Sequence, residues 1–145
     1  MAAWFQGLLE QGRVAEALKA NPADPEDSWE ESGIYALVVS LAWSLERNTA
    51  EAGQWRDRAI TALETGNADA WRAAQLLRRD VASTEAELDA VYLAANSKAI
   101  LLACLSVRHP ARRDVLASAA RRLNVERGFP YHLLQRATQP GTTAP

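Results

Sequence analysis

Residues 32 to 45, SGIYALVVSLAWSL, run for 14 positions without a charged side chain. In a helix over 28–47, this run places Ile34, Tyr35, Leu37, Val38, Val39, Leu41, Ala42, Trp43 and Leu45 around most of the circumference. A helix that is apolar on nearly every side has to be enclosed by neighbours. The run is also too short to cross a bilayer, which takes about 20 apolar residues. The enclosure must therefore come from protein, and the rest of the chain has to supply it.

The rest of the chain reads as helix. It holds 29 alanines against seven glycines and six prolines, a balance that favours helix over strand or loop. Three helix starts carry their own signature. Ser28 with Glu31, Asn48 with Glu51, and Thr84 with Glu87 each set a short acceptor at the cap and a carboxylate three residues on, where backbone N–H groups lack partners. Two short helices, over about 2–11 and 13–20, precede NPADPED, whose prolines cannot continue a helix. A one-faced helix over 49–65 follows the enclosed one, with Ala52, Trp55, Ala59, Ala62 and Leu63 in its stripe.

Gly66 and Asn67 break the chain before a helix over 68–81 that carries Trp71, Ala74, Leu77 and Val81. One long helix is predicted from Thr84 to Val107, polar at first and central in its second half, where AILLACL leaves little polar surface. Pro110 suits the first turn of a helix over 110–124, and Pro130 opens a last short helix to about 137. No alternating apolar and polar run bounded by hairpin turns is present. The expected fold is all-α: one domain over 1–137, with seven to eight helices as a bundle or a short stack, and a flexible tail over 138–145.

A junction recurs. ALKANPADPEDSW (17–29) and ALETGNADAW (62–71) both run from an Ala-Leu pair through a polar break to a tryptophan. In the first copy Ala17, Leu18 and Pro22 are followed by Trp29 and, four residues later, by Gly33; the second has Ala62, Leu63 and Trp71, with Asn67 in place of the proline. These junctions resemble those between successive tetratricopeptide repeats. Small residues there let paired helices approach, proline ends a hairpin, and tryptophan fills the wedge between hairpins. The two tryptophans stand 42 residues apart, against a family period of about 34, so an irregular bundle stays open beside repeat-like hairpins over 1–80. The resemblance implies a peptide or protein partner held in a groove, and expects Trp29 and Trp71 to be buried.

Catalytic and metal motifs are not evident. The two histidines, His109 and His132, lie in different elements, and no H-E-x-x-H, phosphate loop or G-x-S-x-G turn occurs. The single cysteine, Cys104, reads as a small buried apolar residue, and on a continuous helix it would point about 140° away from His109. The expectation is a protein without cofactor or metal, and not an enzyme. The amino terminus lacks a basic region followed by a long apolar stretch, so a cytoplasmic, non-membrane protein is expected.

Charge is uneven along the chain. Residues 1–80 carry 8 basic and 13 acidic side chains, whereas 96–145 carry 8 basic and 2 acidic. Arg108, Arg112, Arg113, Arg121, Arg122 and Arg127 make most of the basic end and, with Trp4, are the candidate partner-binding residues. One reading is a solvated surface facing an acidic neighbour. Another is nucleic-acid binding, because VLASAARRLNVERGFPYHLLQR (115–136) resembles a helix-turn-helix, although Asn124 replaces the usual turn glycine and Pro130 falls in the expected recognition helix. The first expectation for function is a non-enzymatic module that binds another protein, as an adaptor, a chaperone or an inhibitor. The second is a nucleic-acid-binding regulator.

Overall fold

The computed structural model describes residues 3–19, 29–79, 84–123 and 135–137, those at 3 and 29–32 by backbone alone. The described residues are all-α, with no strand among them. Helix α1 (Ala3–Glu10) and α2 (Val14–Lys19) come first, then the enclosed helix α3 (Trp29–Leu45), α4 (Thr49–Glu64) and α5 (Ala68–Arg78). A short α6 (Glu85–Asp89), then α7 (Ala95–Arg108), a 3-10 turn (Pro110–Arg112) and α8 (Arg113–Arg121) complete the order.

Helix α3 is enclosed as its composition demands. Every residue from Tyr35 to Ala42 is buried, with α2, α4 and α7 packed around the helix. Its partner α4 runs antiparallel to it. Ser40 Oγ donates to the Ala52 carbonyl at 2.7 Å, while Gly33 lies against Ala62 and Leu63 at the far end. The turn between them is tight. The Asn48 N–H reaches the Trp43 carbonyl at 2.9 Å and the Arg47 N–H that of Ser44 at 3.0 Å, which closes α3 with Arg47 in the left-handed region at φ 61°, where glycine is usual. Asn48 then caps α4 by accepting from the Glu51 N–H at 3.1 Å.

The same closure joins α1 to α2, this time with Gly12 at φ 73° and the Arg13 N–H on the Leu8 carbonyl at 2.9 Å. Phe5 is fully buried and meets Tyr35 of α3, ring centroids 5.9 Å apart. Tyr35 in turn meets Trp55 of α4 edge-on at 6.1 Å, and Arg58 covers the outer side of that indole at 4.5 Å. Asn67 caps α5 by accepting from the Ala70 N–H at 2.9 Å. Arg78 holds α5 to α4 through Glu64, donating from Nε at 2.6 Å.

The long helix predicted over Thr84–Val107 is two helices. Helix α6 stops at Asp89, and residues 91–94 are non-helical before α7 begins. The break buries Val91, leaves Tyr92 76% exposed and lets the Tyr92 N–H donate to Asp69 of α5 at 3.1 Å. A continuing helix would spend that N–H on its own ladder. Ala90, Leu93, Ala94 and Ala95 around Val91 and Tyr92 are good helix formers, so tertiary contacts and not local propensity decide the outcome. The second half is central as expected: Ala99 to Ala103 and Leu105 to Val107 are buried. Helix α8 packs on α7 through Leu116, Ala119 and Ala120. Residues 135–137 are helical and dock where Ser106 Oγ donates to the Ala137 carbonyl at 3.3 Å.

Thr84 and Glu87 form a complete capping box on α6, and Arg79 from the end of α5 adds a two-pronged contact to the same carboxylate. The Arg79 guanidinium first, then the Thr84 backbone N–H, hold the Glu87 carboxyl down at about 2 from an ordinary 4.5. A carboxylate with a lowered pKa adds stability above its unfolded value and loses that stability as pH falls through the folded one. Glu87 therefore supports the α5–α6 junction fully above about pH 4.5 and is expected to release it between there and pH 2. Carboxyl titration by NMR checks this: a Glu87 midpoint near 4 would rule the arrangement out.

Candidate functional site: a basic cleft and an aromatic corner

A half-open cleft of about 440 Å³ lies between α3, α4, α5 and α7. Each helix lines it with one face. Helix α3 contributes Leu37, Ser40, Leu41 and Ser44; α4 contributes Thr49, Ala52 and Arg56; α5 contributes Leu77; α7 contributes Cys104, Val107 and Arg108, followed by His109. The offsets of three, four and seven within each helix are those of a single stripe. Ser40 is already engaged through its bond to Ala52, and that bond keeps α3 and α4 in register beneath the cleft.

The wall chemistry is zoned. Leu37, Leu41, Leu77 and Val107 are apolar, Ser44 and Thr49 add hydroxyls, and Arg56, Arg108 and His109 add basic groups. Arginine stays charged at any physiological pH. The Cys104 thiol donates to the Leu37 carbonyl at 3.5 Å. Burial pushes its pKa up to about 12, against a weaker opposing pull from Arg56. A thiol so held is not a nucleophile at neutral pH.

Here the structure corrects one expectation of geometry. On a continuous helix Cys104 and His109 would diverge, but α7 ends at Arg108 and His109 leaves helical geometry at φ −124° and ψ 73°, so both line the same cleft. Cys104 is only partly buried as a residue, contrary to a plain core reading.

The second feature is a corner at the start of α5. Trp71, expected in the core, is 52% exposed. It is the residue that follows a helix break, as anticipated, but Ala70, Ala73, Ala74, Leu76 and Leu77 take the buried positions of α5. That stripe leaves position 71 on the outer side, with Gln75 and Arg78 on the same face. Asp69, two residues earlier, accepts from the Tyr92 N–H at 3.1 Å and pairs with Arg72 at 3.4 Å. Asp69 thus ties Arg72 and the Tyr92 backbone together at the start of α5, while Trp71, about 160° around the helix from Asp69, stands on a different face. The Trp29 side chain lies outside the described residues.

The residues singled out from sequence are divided among several places. Arg108 lines the cleft. Arg112 and Arg113 are partly buried where the 3-10 turn meets α8, and Arg121 is exposed. Arg122 faces Glu85 at 3.6 Å and Asp89 at 3.7 Å, tying α8 to acidic α6. Arg127 and most of the second half of the helix-turn-helix-like segment lie outside the described residues. Trp4 is 48% exposed and meets Phe5 edge-on.

Among the described residues, no group of three or more His, Cys, Asp or Glu side chains is placed to hold a metal ion. No described helix is long and apolar enough to cross a membrane. Comparison of the chain with family models, curated proteins and solved structures gives no match, so the cleft and the corner are read from their own residues.

Proposed function

We propose that this chain is a non-enzymatic module that binds another protein, and that the corner at the start of α5 is where it does so. The observation that carries the reading is that two large aromatic side chains near the start of α5 stay in water, Trp71 on the outer face of that helix at 52% exposed and Tyr92, whose backbone N–H is held by Asp69, at 76%. Trp, Tyr and Arg are the residue types most enriched among side chains that dominate protein–protein binding energy. An indole buries about 150–250 Å² when covered, and Trp71 keeps half of its surface in water. The antiparallel α3–α4 hairpin with α5 behind it supplies a rigid support for the corner. A repeat-like stacking of hairpins, as the Ala-Leu junctions suggest, is part of the same proposal.

Nucleic-acid binding is the weaker reading. Arg122, one of its main cations, is directed at Glu85 and Asp89, and those carboxylates would repel phosphate.

The test is capture from nuclease-treated native lysate on immobilised wild-type chain and on Trp71→Ala. The wild type is expected to retain a protein partner, and the variant to lose at least about tenfold in affinity, within the range of a dominant interface residue. Because Trp71 is half exposed, the same substitution should cost under about 1 kcal/mol of stability, far below the about 3–5 kcal/mol of a buried aromatic. Equal retention by both proteins would defeat the reading.

A further inference from the structure

We propose that this chain exchanges its carboxyl-terminal helices with a second copy of itself, and that residues 91–94 are the hinge. In the dimer so formed, α6 and α7 join into one continuous helix, and α7 and α8 dock on α3 of the other copy. This goes beyond the protein-binding reading and does not depend on it, since the hinge acts through Asp69 and Tyr92 and not through Trp71.

The sequence of the hinge suits a helix. No glycine or proline occurs between Thr84 and Arg108, so neither side of the break carries the residues that usually end or start one. Ala90, which closes α6, already has helical angles at φ −75° and ψ −11°, and Ala94, which opens α7, gives no side-chain cap. The change needed is confined to residues 91–94. A continuous helix would also keep one apolar stripe. Leu88 and Val91 before the joint and Ala99 and Leu102 after it are all buried, and at about 100° per residue they fall within an arc of about 80°. The bend is held from outside the segment, by Asp69 on the Tyr92 N–H at 3.1 Å.

Topology makes the second copy necessary. Arg79 at the end of α5 grips Glu87 and Asp69 at its start holds Tyr92, so α6 runs back along α5. Helix α7 then reverses direction, since Cys104 and Val107 near its end line the cleft with Leu77 near the end of α5. A straight α6–α7, a rod about 36 Å long, therefore carries α7 away from its own α3 and bares the buried flank of that helix. Helix α7 of a second copy restores the lost contacts, among them the Cys104 thiol on the Leu37 carbonyl and Arg122 with Glu85 and Asp89. The exchange is mutual and closes on two copies. Because monomer and dimer share these contacts, concentration and the hinge set the balance between them.

The test is to refold the full chain from urea at millimolar concentration and to separate the products by size-exclusion chromatography with light scattering. The wild type is expected to give monomer and a dimer that persists for hours after dilution, because parting the copies means unpacking α7. In a dimer refolded from isotope-labelled and unlabelled chains, NMR contacts between α3 and α7 should cross between copies, and the Cα shifts of residues 91–94 should become helical. Asp69→Ala should raise the dimerisation constant at least about tenfold, since each monomer loses a hydrogen bond to a charged acceptor at its hinge. Asp69→Asn, which still accepts, should change it far less. Ala94→Pro is the opposite variant. Ala94 is exposed at φ −55° and ψ 147°, angles that proline adopts without strain, yet proline breaks a continuous helix at that point. It should stay monomeric and keep its stability.

The absence of dimer from both the wild type and Asp69→Ala overturns the proposal. So do a dimer formed equally by Ala94→Pro, a dimer whose residues 91–94 stay non-helical, and α3–α7 contacts that remain within one copy. Trp71→Ala should leave the exchange untouched, so failure here and failure of the protein-binding reading are separate results.

Discussion

Leu101→Ala is expected to destabilise the protein by about 3–5 kcal/mol, the range for emptying a fully enclosed leucine position. Leu101 is fully buried, Ile100 and Leu102 flank it, and all three lie in the part of α7 that packs between α3 and α8. The loss includes transfer of the side chain and the cavity left behind, because helices held on several sides cannot collapse into the gap. With total stabilities of about 5–15 kcal/mol in single domains, the variant should sit close to unfolding at body temperature. Urea titration checks this through a lower midpoint at unchanged slope. Leu101→Met, which keeps the volume, should cost less than about 1.5 kcal/mol. A loss under about 1 kcal/mol for the alanine variant would mean that α7 is not the centre of the core.

Phe5→Ala should cost a similar amount, about 3–5 kcal/mol, but in a different place. Helices α1 and α2 are eight and six residues long, well short of the about 12–15 at which isolated helices begin to hold in water. They persist by docking, and Phe5 against Tyr35 is the central ring contact of that docking. Truncation should therefore release residues 3–19 before the remainder unfolds. Hydrogen exchange is the suitable readout, with amides of α1 and α2 losing protection while those of α3 and α7 keep theirs. Uniform loss across all helices would show instead that the first hairpin is inseparable from the core.

Much of this architecture is legible in the sequence where a local rule governs. The charge-free run of α3, the Asn48 and Thr84 caps and the central second half of α7 follow from composition and capping chemistry, which act within a few residues. Legibility fails where a distant group decides. Nothing local separates Asp89 from Ala95 as a helix break, because the side chain that receives the Tyr92 N–H is Asp69, 23 residues earlier. The analogy between the two junctions predicts a buried Trp71, whereas the alanine and leucine spacing of its own helix sets it opposite the buried stripe. The cleft had no signal at all. Ser44, Thr49, Arg56, Cys104 and His109 are ordinary surface or core types one by one, and only the meeting of four helices makes them a lining. Cys104 and His109 share the cleft because α7 ends between them.

The shielding of Cys104 has a practical side. It is the sole cysteine of the chain, and with its thiol pushed up to about 12 by burial, it stays protonated at pH 7. Disulfide-linked dimers should not accumulate in air, and maleimide probes should pass the native residue by. A cysteine introduced at an exposed position, such as Ala50 on the outer side of α4, would then be the one reactive handle. Dyes and spin labels can be attached there without first removing Cys104, which leaves the lining of the cleft as the protein makes it.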